Sequence, residues 1–397
     1  MARFLFVVPP MVGHINPTVS VAAELEARGH EVAWVGHRLV VGPVLPDGAK
    51  LFALDTDTDR EDFVALAERA LSLRGAAALK FLWEEVLIPL AHAMLPGVRE
   101  VVDFYAPDAL CVDRETFAGA VVARGRNLPW ATSATTSLDR KESIGDLHKI
   151  YAWTEERLAE LQRQAGLEPV PMVEESPHLV IVFTTLELMG GENPAPGIYH
   201  FVGPSFRYRQ SASEPDDFPW DRLRDVPRVL VSLGTLNPRR GERFFRAVAE
   251  GLGECDLQVI LVAPDSFGPF PDNFIVREWV PQVDLLPHVN AVICHAGHNT
   301  VSESLANGLP LVVLPIKDDQ PVVAAQVTDA GVGLRLPFAR PRPGAIREAV
   351  LRVLAEPGFR ASAERIRRSF AAAGGASRAA ELLEALVGRS GNGQDAR

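Results

Sequence analysis

Residues 279–320 read WVPQVDLLPHVNAVICHAGHNTVSESLANGLPLVVLPIKDDQ, and this stretch decides the fold. Two short apolar runs, Ala291–Cys294 and Leu311–Leu314, have the length and continuity of strands buried on both faces of a parallel sheet. Between them His298–Asn307 predicts a helix, with Gly308 past its end and Pro310 as the stop. The unit is strand–turn–helix–strand, and its turn is His295-Ala296-Gly297-His298-Asn299-Thr300. Gly297 permits a tight bend or a close approach of ligand to backbone. The N–H groups of the first helical turn, together with the helix dipole, favour an anion. His295 and Thr300 add side-chain donors, so a phosphate or diphosphate suits this turn.

The spacing supplies the remaining parts of a nucleotide sugar. Trp279, with Val280 beside it, offers a flat face for a base, and Gln282 an amide for ribose. Glu303 follows His295 by eight residues, one turn into the helix, where a carboxylate can accept ribose hydroxyls. Asp319-Gln320, after the next strand, sets a carboxylate beside an amide, suited to sugar hydroxyls. The pattern W-x-P-Q…H-x-G-x-N-T…E…G-x-P…D-Q resembles the nucleotide-sugar signature of family 1 glycosyltransferases, the group with plant secondary-product and bacterial macrolide and antibiotic enzymes. The stretch is slightly shorter than the plant signature, and His298 stands where plant enzymes commonly carry Trp; both departures resemble bacterial members.

At 397 residues the chain exceeds one ordinary core and predicts two domains. Its 47% hydrophobic and 23% charged residues are those of a soluble globular protein. A net charge of −11 argues against nucleic acid or an anionic membrane as the main partner. Phe4–Val8 is too short to span a membrane, so no stable membrane insertion is expected. The three cysteines lie far apart without metal-ligand spacing, which suits a reduced cytoplasmic protein without disulfides.

The chain opens with an apolar strand, Arg3–Val8, and then Pro9-Pro10-Met11-Val12-Gly13-His14-Ile15-Asn16-Pro17. Asn16 is a good N-cap and Pro17 a good first helical residue, which predicts a helix from Pro17 to about Arg28. That places His14 in a loop at the carboxyl end of the first strand of a doubly wound domain. An imidazole there is suited to taking a proton near neutral pH. The G-H-x-N-P run resembles the family's catalytic-base loop, which implies that His14 is the base. A base that becomes an imidazolium needs a carboxylate behind it. Asp113, ending the strand Ala109–Val112, resembles the family's partner acid, while Asp108 and Glu115 fall at the wrong place in the strand–loop pattern.

Arg60–Arg74 and Lys80–Asp103 read as helices, with Pro89 and Pro96 expected to break the second. In the family this region walls the acceptor pocket, so Trp83 and Met94, with Met11 of the first loop, are acceptor candidates. The polar run Thr132–Ser137 carries hydroxyls that can reach a donor sugar, Thr132 being the choice among them. Leu138–Gly166 reads as largely helical. Phe206–Val226, rich in Arg, Ser, Pro and Asp, reads as an exposed linker. The run V-S-L-G-T that follows resembles the first strand of the family's second domain, and implies that Gly234 and Thr235 meet the phosphates.

The resemblance implies the GT-B fold, an α/β architecture of two doubly wound Rossmann-like domains facing across a cleft. Residues 1–207 would form the acceptor domain, 208–226 the linker and 227–373 the donor domain. A last helix, 377–388, would pack back on the first domain, followed by a disordered tail, 389–397. The implied reaction is inverting transfer of a hexose from UDP-glucose, or next a dTDP-sugar, to a lipophilic natural-product acceptor, by a monomer or homodimer. No DxD-type clamp stands out, so no metal and no cofactor are expected. A nucleotide-sugar 2-epimerase and a non-catalytic binding partner on the same fold are the alternatives; the His14 loop and the retained Asp319-Gln320 pair speak against them.

Overall fold

The computed structural model describes residues 1–54, 66, 69–70, 73, 75–136, 148–206, 218–234 and 241–391. They form two α/β units: Met1–Phe183 with Asn193–Ala212 and Gly374–Arg397, and Thr184–Glu192 with Ser213–Ala373.

The first unit holds β1 (Arg3–Val7), β2 (Glu31–His37), β3 (Leu51–Leu54), β4 (Ala109–Asp113), β5 (Trp130–Ala134), β6 (Val180–Val182) and β7 (Tyr199–Phe201). They make a seven-stranded sheet in the order β3-β2-β1-β4-β5-β6-β7, every pair parallel. The apolar runs form such strands because both faces are covered. Along β1, Phe4 and Phe6 enter a core with Trp34, Ile15 and Leu25, while Leu5 and Val7 enter the opposite core with Val35, Leu110 and Val112. The second unit repeats the plan with β8 (Arg228–Ser232), β9 (Gln258–Val262), β10 (Phe274–Arg277), β11 (Ala291–Cys294), β12 (Leu311–Val313) and β13 (Gly333–Arg335). Its order is β10-β9-β8-β11-β12-β13, again all parallel. In each sheet the strand order reverses beside the first strand, between β1 and β4 and between β8 and β11. Open α/β sheets bind ligands outside the carboxyl ends of the strands at that point.

Several local expectations change. The first helix runs Val12–Ala27 with Met11 at its N-cap, so Asn16 caps nothing and Pro17 lies inside the helix. The N–H groups of His14 and Ile15 reach the Met11 carbonyl at 2.9 and 3.2 Å, which starts the helix before Pro17 can dictate its first turn. Pro89 and Pro96 do not break the second helical region. A π-helical turn, Leu82–Leu87, joins Gly75–Phe81 to Ile88–Tyr105. Pro89 thereby falls in a first turn, where a missing N–H is tolerated. By length and composition Gly75–Tyr105 could cross a membrane, yet its Phe81, Leu87, Ala91, Met94, Val98 and Val102 are buried in the protein core. The expected helix 60–74 lies mostly outside the described residues. Of 138–166, His148–Gln164 is helical and 138–147 lie outside the described residues.

The far end of the expected linker is anchored. Phe218 is buried in the core of the second unit, and Trp220 packs edge-on against Phe218 and His288. The last helix spans Gly375–Gly391, past the residue at which the tail was expected to begin. It sets Ala376, Ala379, Ala380, Leu383 and Leu386 into the first unit's core at helical spacing. Arg28 and His30 both bind Glu384, each at 2.8 Å. Burial alone would raise the Glu384 carboxyl, but hydrogen bonds from His30 and Arg28 outweigh it and hold it below its ordinary value. A depressed carboxylate stabilises the fold above its unfolded pKa, and the contribution disappears as pH falls through the folded value. Because this pair is partly exposed, E384A is expected to lower unfolding free energy by only about 0.5 to 1 kcal/mol at pH 7. Urea titrations of both proteins should converge toward pH 3; a gap that persists at acid pH would assign the loss to packing.

Candidate active site

In the first unit, three strand ends converge on His14. The ring sits in the first turn of Val12–Ala27, immediately beyond β1, and its side chain is 12% exposed. Its Nδ1 lies 3.0 and 3.1 Å from the two carboxylate oxygens of Asp113, the last residue of β4. Asp113 is buried and held in place: the Glu115 N–H donates to Oδ1 at 2.9 Å and the Thr135 hydroxyl to Oδ2 at 3.0 Å. Thr135 Oγ1 is also 2.9 Å from His14 Nδ1. The carboxylate fixes a proton on Nδ1 and turns Nε2 to the other side of the ring. Oε2 of Glu115 stands 3.8 Å from Nε2.

Thr135 was not singled out among the hydroxyls of 132–137. Thr132, the residue chosen from that run, is fully buried inside β5 and its hydroxyl is spent on the fold: it donates to the Glu174 carbonyl and accepts from the Ser176 N–H at 2.7 Å. Thr135 lies one residue beyond β5, at the carboxyl edge where ligands bind. Glu115, set aside as misplaced in sequence, is brought to the base by the turn after β4. Met94 is a core residue, 2% exposed. Trp83 stacks on Phe117 at 5.3 Å and meets Trp153 edge-on, while Met11 is partly buried against the same core.

In the second unit the corresponding point is a cradle around His295. Gly234, just past β8, has φ +70, and a Cβ there would stand 2.7 Å from His295 Cε1. A Cβ on Gly297 would stand 2.4 Å from His295 Nε2. Both glycines are therefore required by the ring between them. Ala296 is buried at φ +63, a left-handed conformation that costs a non-glycine residue about 1 kcal/mol. Loss of hydration lowers the His295 pKa to about 4, against a smaller opposing pull from the Ser232 backbone, so the ring is neutral at physiological pH. Its Nδ1 is buried without a hydrogen-bond partner among the described residues. The helix His298–Ala306 begins at Gly297, which brings no side chain to cap it. His298 and Thr300 are buried and Asn299 half-buried. Thr235 lies outside the described residues.

Glu303 is buried and accepts a 2.6 Å hydrogen bond from the Gln282 amide, so the two expected ribose residues form one pair. Trp279 is 37% exposed. Val280 points into the core of the second unit, which leaves only its main chain for a base. Gln320 braces its own loop: Oε1 accepts from the N–H groups of Ile316 at 2.8 Å and Lys317 at 3.1 Å. That removes its carbonyl oxygen from the expected pair; Asp319 stands at the N-cap of Gln320–Asp329. Among the described residues no three His, Cys, Asp or Glu side chains come together as a metal-ligand group.

Residues 246–386 match the family model described as erythromycin biosynthesis protein CIII-like, C-terminal domain. The chain is 29% identical to 4'-demethylrebeccamycin synthase of Lentzea aerocolonigenes, over 97% of this chain and 100% of the relative. It is 29% identical to demethyllactenocin mycarosyltransferase of Streptomyces fradiae, over 98% and 87%. Among solved structures the calicheamicin glycosyltransferase CalG4 superposes with a TM-score of 0.79 at 25% identity, covering 98% of this chain and 99% of that one. Two parallel-sheet α/β units with these neighbours define a glycosyltransferase of the GT-B fold. Over nearly its whole length the chain is similar to bacterial natural-product glycosyltransferases.

Proposed function

We propose that this enzyme transfers a hexose from a nucleoside diphosphate sugar to a hydroxyl or ring nitrogen of a lipophilic natural product, with inversion at the anomeric carbon. The observation that carries the reading is the His14 Nδ1–Asp113 contact at 3.0 Å, which turns Nε2 into a general base. As His14 takes the acceptor proton, the acceptor atom attacks the anomeric carbon and the diphosphate leaves with the bonding electrons. Asp113 steadies the imidazolium so formed.

The departing diphosphate gains charge, so donors aimed at it lower the barrier. The His298–Ala306 N-terminus and the neutral His295 ring are suited to that task. They stabilise the leaving group through N–H donors, so the reading needs no metal. Trp279 stacks on the base, the Gln282–Glu303 pair reads the ribose, and Asp319 reads the sugar. UDP-glucose is the first choice of donor and a dTDP-sugar the second, since a buried carboxylate gains most from both ribose hydroxyls.

The reading is tested by calorimetric titration of UDP-glucose, dTDP-glucose and UDP-N-acetylglucosamine with EDTA present. Mass spectrometry of an aglycone panel follows with the donor that binds. A product heavier by one hexosyl unit supports transfer; donor binding without any product would favour the non-catalytic alternative. In the same titration E303A should weaken UDP binding about 10- to 100-fold and dTDP binding less, since dTDP lacks the 2′-hydroxyl, as one lost charged hydrogen bond of about 1.5 to 3 kcal/mol implies. Equal losses would mean that the 2′-hydroxyl is not read by Glu303.

A further inference from the structure

The reaction as derived leaves Glu115 without a part. Its carboxylate lies 3.8 Å from His14 Nε2, the atom that must be unprotonated to receive the acceptor's proton. His14 is thus bracketed by two acids, Asp113 at Nδ1 and Glu115 at Nε2, with Thr135 as a neutral neighbour. Arg114, between the two acids in sequence, is turned toward Glu175 at 2.8 Å. The Nε2–Glu115 separation is too long for a hydrogen bond yet within the range of an ion pair. A carboxylate there stabilises the imidazolium, the form that cannot act as a base. Asp113 alone would orient the ring, so a second acid at Nε2 opposes the base while the site is empty.

We infer that Glu115 is a positioning residue that keeps His14 protonated until an acceptor enters, and so suppresses hydrolysis of the donor by water. The inference rests on His14 being the acceptor base. In the empty site Nε2 carries a proton paired with Glu115. An entering acceptor places its hydroxyl at Nε2, weakens that pair, and the imidazolium releases its Nε2 proton to solvent. The neutral ring then takes the hydroxyl proton as the acceptor oxygen–anomeric carbon bond forms and the anomeric carbon–diphosphate bond breaks. The electron pair leaves with the diphosphate. When product departs, the imidazolium pairs with Glu115 again, and one proton has been released per sugar transferred.

The test follows the His14 ring by NMR across pH in protein labelled with 15N-histidine, its signal assigned by its loss in H14Q. Wild type, E115Q and D113N are titrated, and nucleotide release from UDP-glucose is followed without acceptor. E115Q should lower the His14 pKa by about one unit, the effect of a unit charge roughly 4 Å away near water. At pH values below the wild-type pKa it should also speed acceptor-independent nucleotide release several-fold. A His14 pKa unchanged in E115Q while D113N lowers it overturns the inference. Faster hydrolysis without a pKa change overturns it equally, because that pattern means only a widened site. The titration needs neither acceptor nor turnover, so it decides this point even where the transfer assay fails.

Discussion

Replacing His14 with alanine is expected to reduce transfer by about a thousandfold in kcat while nucleotide-sugar affinity stays within about twofold of wild type, since general-base catalysis contributes roughly 10² to 10⁴. The split follows from where the residue sits. His14, Asp113 and Thr135 all belong to the first unit, whereas Gly234, His295, Glu303 and Asp319 belong to the second. Removing the base therefore leaves the donor contacts of the reading untouched. D113N should show a milder form of the same loss, because the amide can no longer hold the proton on Nδ1 or balance the imidazolium. Steady-state kinetics on the best aglycone and calorimetry with the donor give the two numbers. A loss of donor affinity matching the loss of kcat would move His14 from the base to the donor site.

The second large effect is expected at the glycines around His295. Gly234→Ala places a methyl group where the ring already stands, 2.7 Å from Cε1, and forces a side chain into φ +70. Gly297→Ala adds a Cβ 2.4 Å from Nε2 on the other side. The ring is the group most able to yield, and moving it takes away the donor proposed for the diphosphate. Each substitution should weaken nucleotide-sugar binding by about 10- to 100-fold, the range of one or two charge-assisted hydrogen bonds. The first should also cost about 1 to 2 kcal/mol of stability through the left-handed backbone. Gly344→Ala, whose Cβ would meet open space, is the control and should leave affinity unchanged. Tight donor binding by the Gly234 and Gly297 variants would show that His295 does not touch the donor.

Some of this was legible because it is written in local pattern. The apolar runs Ala291–Cys294 and Leu311–Leu314, the glycine at 308 and the helix between them are contiguous features, and β11, the helix His298–Ala306 and β12 match them within a residue. The Asp at the end of β4 was matched to His14 through the family resemblance, and the pairing of β1 with β4 sets the two at neighbouring strand ends. The start of the first helix was misread for an equally local reason: Asn16-Pro17 is a strong cap signal, and the backbone bonds from His14 and Ile15 to Met11 overrode it.

The sequence by itself therefore determined the class: two parallel α/β units, with a glycine turn after a strand of the second and a histidine at the carboxyl edge of the first. Tertiary structure decided which polar side chains serve the site and which serve the fold. Thr132 and Thr135 are three residues apart in one hydroxyl run, yet one is locked to Glu174 and Ser176 and the other reaches the dyad, because β5 ends between them. Gln320 turns back on its loop, Glu303 is taken by Gln282, Met94 goes to the core, and Glu115 arrives at Nε2. Each outcome depends on partners from distant positions in the chain or on the bend of a loop. Residue type and spacing carry no information about where those partners lie.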